Sequence, residues 1–250
     1  MKKILFASAS LLALSALAPA MAADLAARPY TKAPVAIASV YNWGGFYIGG
    51  NAGGGSSHNC WDTTAVLGAA VPVTAEGCHN ATGAIVGGQV GYRWQSASWV
   101  FGVEAQGDWA DLKGSNTSSP AAFAPLVNNT KIDALGLFTG QVGYAWNNVL
   151  WYVKGGAAVT HNKFSGTFAG VTFDTANETR WGGAVGTGIE FGFAPNWSVG
   201  VEYNHLFMGK HTDSFTLVGV NTRTDSIKQD VDMATVRVNY TFGGPVVARY

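Results

Sequence analysis

The stretch DVDMATVRVNYTF, from Asp230 to Phe242, places an apolar or aromatic residue at every second position: Ala234, Val236, Val238, Tyr240 and Phe242. Between them lie Thr235, Arg237, Asn239 and Thr241. Strict alternation makes a β-strand with two unlike faces, because successive side chains point to opposite sides of the pleat. The pattern leaves open which face is the inside. An apolar face turned inward belongs to a soluble sheet. A polar face turned inward belongs to a barrel standing in lipid.

Composition favours the second. The chain has 250 residues, 33 of them glycine, with 48% apolar and only 12% charged residues. Soluble domains carry about 25% charged residues, roughly twice that density. Outside the N-terminus no run approaches the roughly 20 apolar residues of a helical span. Only helices and closed barrels satisfy every backbone group within lipid, so a β-barrel is the consistent membrane structure. The competing reading is a large soluble β protein with few surface charges.

Lys2 and Lys3 precede an apolar run from Ile4 to Leu17, and Ala20-Met21-Ala22 fits the small-x-small cleavage rule. This predicts a secretory signal peptide over 1–22, cut after Ala22 or one residue later. Its removal leaves 13 Lys and Arg against 15 Asp and Glu, with no basic footprint for nucleic acid. Pro29, Pro34 and the lack of alternation make 23–40 a flexible periplasmic extension. The barrel domain is assigned to 41–250. The two cysteines, Cys60 and Cys78, are exported and close together, which predicts one disulfide. Such a crosslink stabilises by up to about 3 kcal/mol. His58 and His79 beside them raise a zinc alternative, but the spacing within each pair is tighter than tetrahedral sites prefer.

Eight alternating segments follow, near 42–55, 82–94, 98–112, 131–146, 149–163, 178–193, 197–210 and 231–242. Short connections surround Ser96, Asn147-Asn148 and Pro195-Asn196. Long ones run through Ser56–Ala81, Gly114–Thr130, Ser165–Asn177 and His211–Asp230. Long loops on one side and tight turns on the other is the pattern of an outer-membrane barrel. The expected fold is all-β: a transmembrane, eight-stranded, antiparallel up-and-down barrel with both termini in the periplasm.

Aromatic placement identifies the outer face. Trp94 and Trp99, Trp146 and Trp151, and Phe193 and Trp197 flank the three tight turns, and Phe242 ends the last strand. All share the parity of their strand's apolar face, and Trp109 and Trp181 lie on that face near the opposite ends. Two aromatic belts around an aliphatic band match the girdles of a lipid-facing wall. Trp43 is the exception, with inward parity unless the first strand starts after it.

The polar face then lines the lumen. Gln89, Glu104, Gln141, Lys154, Glu202 and Arg237 all lie five residues from the periplasmic end of their strands, with Glu190 three from Phe193. Arg93, Asp108, Asp133 and Arg180 add inward charge at other levels. Buried charges must pair, so this belt reads either as a salt-bridge plug or as an ion-selectivity ring. Gly87, Gly91, Gly143, Gly156, Gly182, Gly186 and Gly188 also point inward, where a small barrel needs small residues. GGAVGTG at 182–188 superficially matches a phosphate-binding loop, but it sits within a strand and no helix follows. His205, facing lipid beside Tyr203 and Phe207, is the best isolated catalytic candidate and lacks a nearby serine on its face. His161 and His211 lie near loop ends and read as solvated. No catalytic, cofactor-binding or metal-binding residues are assigned.

WGGFYIGGNAGGG at Trp43–Gly55, GGQVGYRW at 87–94, FGVEAQGDW at 101–109, GQVGYAW at 140–146, LWYVKGGAAV at 150–159 and VNYTFGGPVVARY at 238–250 form an ordered set. In this set the chain resembles the small outer-membrane β-barrel proteins of α-proteobacteria, relatives of the opacity-type surface proteins often described as porin-family. The resemblance implies an eight-stranded barrel, outer-membrane location, and roles in envelope integrity and surface exposure. It brings no catalytic residues. One departure is that the strand ending at Phe242 is followed by GGPVVARY, leaving Phe242 and Tyr250 as rival terminal aromatics for the assembly machinery. The expected partners are outer-membrane lipid, the barrel-assembly machinery and an extracellular ligand held by the long loops. The functional readings are a structural surface protein with a plugged lumen, a narrow porin for ions or small solutes, an adhesin or ligand receptor, and a lipid-modifying enzyme.

Overall fold

The structure is a computed structural model that describes residues 41–118 and 126–243. The expected signal peptide over 1–22, the expected extension over 23–40 and the end from Gly244 to Tyr250 lie outside the described residues. The strands are β1 (Gly45–Val66), β2 (Ala69–Ser96), β3 (Trp99–Thr117), β4 (Leu126–Trp146), β5 (Val149–Phe168), β6 (Val171–Ala194), β7 (Trp197–Leu217) and β8 (Val220–Phe242). They form a closed barrel, each antiparallel to its neighbours, with β8 returning to β1 through Phe46 opposite Phe242.

The aromatic residues of the two belts all stand on the outer wall: Trp94, Trp99, Trp109, Trp146, Trp151, Trp181, Phe193, Trp197 and Phe242 are exposed. Trp99 and Trp109 stand ten residues apart on β3, about 33 Å along the strand. With a tilt near 40° that is a height of about 25 Å, the apolar band of an outer-membrane barrel.

The strands run well beyond that band. The expected long connections Ser56–Ala81, Ser165–Asn177 and His211–Asp230 are continuous hairpins that close in two residues: Leu67-Gly68, Ala169-Gly170 and Val218-Gly219. Both residues of each turn have positive φ, the conformation that matches the twist of a hairpin. Of Gly114–Thr130, most belongs to β3 and β4, and 119–125 lies outside the described residues.

These extensions escape a search for outward apolar residues because the polarity of the two faces inverts above the membrane. In the opening stretch Ala234, Val236 and Val238 face outward while Thr235, Arg237 and Asn239 are buried. Toward the extracellular end Asp232, Asp230 and Lys228 take the outer side, and Met233, Val231 and Ile227 are buried inside. One strand therefore follows membrane logic at its lower end and soluble-sheet logic at its upper end.

A bulge corrects one assignment. Asp133 does not enter the lumen. The β4–β5 register shifts between Ile132 and Ala134, which puts Asp133 on the outer wall, against Lys163 at 2.6 Å and His161 at 2.6 Å. Trp43 precedes β1 and is buried, packed with Val100, Ala145, Leu150 and Tyr152 across the periplasmic mouth. Cys60 and Cys78 face each other on the outer wall and form a disulfide. His79 points inward to Thr130 and Asn116. The zinc alternative therefore has neither free thiolates nor four converging ligands.

Candidate functional site in the barrel lumen

The inward positions Gln89, Arg93, Glu104, Asp108, Gln141, Lys154, Arg180, Glu190, Glu202 and Arg237 are all buried, in groups at different heights, with Arg237 (3.7 Å from Glu190) and Asn239 linking neighbouring groups through Glu190. Strand tilt staggers residues counted from a common rim, so equal counts give similar heights without giving neighbours.

The central group joins four strands. Lys154 Nζ donates to Glu104 Oε1 at 3.0 Å and to Glu202 Oε1 at 2.6 Å. Arg237 bonds both carboxylates from the other side, Nη2 to Glu104 and Nη1 to Glu202. Two acids and two bases thus form a closed ring across the lumen. Tyr47 donates its hydroxyl to Glu104 at 2.6 Å, and Tyr152 donates to Glu202 at 2.5 Å. Gln141 Nε2 donates to the Tyr47 oxygen at 3.2 Å.

Below this ring, Arg93 grips Glu190 with two bonds of 2.6 and 3.0 Å, while Ser198 and Asn239 also donate to that carboxylate. The Arg93 guanidinium lies 4.4 Å from the Tyr47 ring centre, a cation–π contact. Gln89 belongs to an amide group with Asn51 and Asn239, and Asp108 accepts from Gln106 at 2.8 Å. Each buried charge has an opposite partner or a donor, as a low-dielectric interior demands.

Above the ring the lumen turns aliphatic: Ile85, Leu112, Ile132, Leu137, Leu206, Met208 and Val231 pack in one buried cluster. Arg180 sits higher, bonded to Glu178 at 2.6 Å and Asp213 at 3.3 Å. In the extracellular extension Trp61 packs on Phe164 and Phe215. Arg223 lies over the Phe215 ring at 4.3 Å and pairs with Glu76, Asp174 and Asp225.

Sequence reasoning missed the tyrosines and this upper chamber. Tyr152 has inward parity in its strand and stands opposite Gly188, one of the inward glycines, so that pairing is the signal that could have exposed it. Glu76, Asp174 and Arg223 fall in segments read as loops, where no facing direction was assigned. His205, on the outer wall, bonds Asp232 at 2.7 Å and packs edge-on against Phe207.

Residues 6–242 match the outer membrane protein beta-barrel domain. The chain is 31% identical over 259 residues to the 31 kDa outer-membrane immunogenic protein of Brucella melitensis, covering 97% of this chain and all of that protein. The relative from Brucella suis with the same description gives the same figures. Among solved structures, the outer membrane protein OprG of Pseudomonas aeruginosa is similar at 13% identity and a TM-score of 0.49, over 80% of this chain and 97% of that one.

Proposed function

Because the chain belongs to the outer membrane protein beta-barrel domain family, we propose that this outer-membrane protein is a closed, surface-exposed wall element with a role in envelope integrity. The ring of Glu104, Lys154, Glu202 and Arg237 carries the reading. An open pore would keep its charges hydrated. These four are buried and mutually bonded, with aromatic packing below them and aliphatic packing above. An eight-stranded barrel is about wide enough for side chains to fill. The Brucella relatives are described as immunogenic, which supports exposure of the extracellular end.

Planar-bilayer recording of the refolded protein tests the closed lumen. Wild-type conductance should fall far below that of a general porin. Replacing Glu202 and Arg237 together by alanine leaves Glu104 paired with Lys154 and should raise it. Either single replacement strands a buried charge, so it should destabilise by about 3–5 kcal/mol and the two effects should not add. Large, steady wild-type channels that the double replacement leaves unchanged would overturn the plug and favour the narrow porin.

A further inference from the structure

On the outer wall, Lys113, Lys131 and Lys163 occupy one rung of three adjacent strands, Lys113 opposite Lys131 and Lys131 opposite Lys163. Directly opposed side chains stand about 5 Å apart at Cβ, and like charges there repel. Asp111 and Asp133 relieve this only in part. Asp111 lies 2.9 Å from Lys113 and 3.6 Å from Lys131, and Asp133 lies 2.6 Å from Lys163. Three ammonium groups face two carboxylates, and the lysine side chains remain 43–60% exposed. Asn177 continues the rung on β6. Ser115, Asn129, Ser165 and Thr175 form the next rung above it. Together they line an open groove of about 660 Å³.

The position of the groove is as informative as its chemistry. Trp109 on β3 and Trp181 on β6 mark the upper edge of the apolar band and are 75% and 63% exposed. The lysine rung lies four residues above both, about 13 Å along the strands and about 10 Å in height. That is the headgroup level of the outer leaflet, and flexible lysine stems can bend down toward it. The groove opens sideways, toward neighbouring lipid.

We propose that this groove binds the phosphorylated sugar headgroup of an outer-leaflet glycolipid. The lysines would hold the phosphates, the hydroxyl and amide groups of the upper rung the sugar, and the Trp109–Trp181 wall the acyl chains. A soluble phosphosugar offers the same polar chemistry without the chains. The apolar wall directly beneath the groove favours the lipid. The inference rests on the outer-membrane placement and is independent of whether the lumen is closed.

The test is titration of refolded protein in detergent with diphosphoryl lipid A, with bound lipid counted by native mass spectrometry. Dephosphorylated lipid A and free glucosamine 1-phosphate serve as the other probes. Diphosphoryl lipid A should bind at least tenfold more tightly than either. Replacing Lys113, Lys131 and Lys163 together by glutamine should abolish that preference, while Lys131→Arg retains it. Lys210 and Lys228, a lysine pair on the β7–β8 wall, are the control, and their replacement by glutamine should change nothing. Equal binding of the dephosphorylated lipid, equal binding of the free phosphosugar, or equal losses from the two walls would each overturn the proposal. Heat-modifiable gel migration verifies that each variant is folded, and Lys131→Gln alone, expected to weaken binding severalfold, keeps the test decisive if the triple variant fails to fold.

Discussion

The Tyr47 ring lies over Gly91 across the β1–β2 ladder, so close that a Cβ at Gly91 would fall 2.5 Å from the tyrosine Cζ and hydroxyl oxygen. Tyr152 covers Gly188 across β5–β6 with the same 2.5 Å approach. Each glycine lets a ring lie flat against the wall, and each ring aims its hydroxyl at one acid of the central ring. The glycines therefore set the position of the charge network as well as leaving room for it.

Gly91→Ala would press on the Tyr47 ring and on the Val103 carbonyl oxygen, 2.6 Å from the added Cβ, and should push Tyr47 off the wall, disturbing its bond to Glu104 and its contact with Arg93, at a cost of about 1–3 kcal/mol. Gly50→Ala is the control, since its nearest neighbour would be 3.7 Å away, on the lipid side. Urea unfolding in detergent or lipid checks the pair. Equal stability of the two variants would remove the packing role given to Gly91.

The upper chamber should respond to pH. Burial pushes the Asp225 carboxyl up from its ordinary 3.8 to about 7; Arg223 opposes this, while Glu76 and Asp174 add to it. Burial and the Glu178 charge push Asp213 up to about 6. A raised acid pKa means that the folded state holds its proton more tightly than the unfolded state. The stability linked to it is complete below the unfolded value and is lost as pH rises through the folded one. Amide protection at the extracellular hairpin ends, measured as exchange relative to the intrinsic rate at each pH, should therefore be greater at pH 5 than at pH 8. Asp225→Asn should flatten that dependence, and an unchanged slope in this variant would assign the effect to the other raised acid, Asp213.

Much of the membrane band was legible because lipid imposes a single rule on it: every outward side chain must be apolar, with aromatics at both edges. Trp99 and Trp109 could be placed by parity alone. The extracellular halves obey the opposite rule, so Trp61 and Phe215, which face inward, looked like loop residues. Their turns were obscure as well, since Leu67, Ala169 and Val218 are unusual at positive φ beside their glycines. Asp133 was misplaced because a bulge leaves no mark in the alternation until the partner strand is known. In the lumen, parity selected the right side chains, but Glu104 and Arg237 could be paired only once the stagger was fixed.

Orientation can be checked by labelling. Val218 lies in an extracellular turn and is 95% exposed, whereas Ser96 borders a short turn on the other side. The native cysteines are bonded to each other, so an introduced cysteine is the reactive thiol. A membrane-impermeant maleimide on intact cells should label Val218→Cys. It should reach Ser96→Cys only after the outer membrane is permeabilised, and labelling of Ser96→Cys in intact cells would reverse the topology.

The inversion within β8 predicts that one substitution has opposite consequences at neighbouring positions. Val238 faces outward, four residues above Phe242 and about 10 Å above the lower belt, near the middle of the apolar band. Lysine there should cost about 2–4 kcal/mol relative to Val238→Leu. Asp232 is also outward but stands at the upper edge of the band, ten residues from Phe242, so lysine there reaches water and should cost only about 1 kcal/mol, for the bonds that Asp232 accepts from His205 and Tyr203. Val231 faces inward among Leu206 and Met208, where a lysine would be buried without a partner, at about 3–5 kcal/mol. A strand that followed membrane logic along its whole length would instead penalise Asp232→Lys and accept a polar residue at Val231. Refolding yield and urea midpoints for the three lysine variants distinguish the two patterns, and a tolerated Val231→Lys beside a damaging Asp232→Lys would refute the inversion.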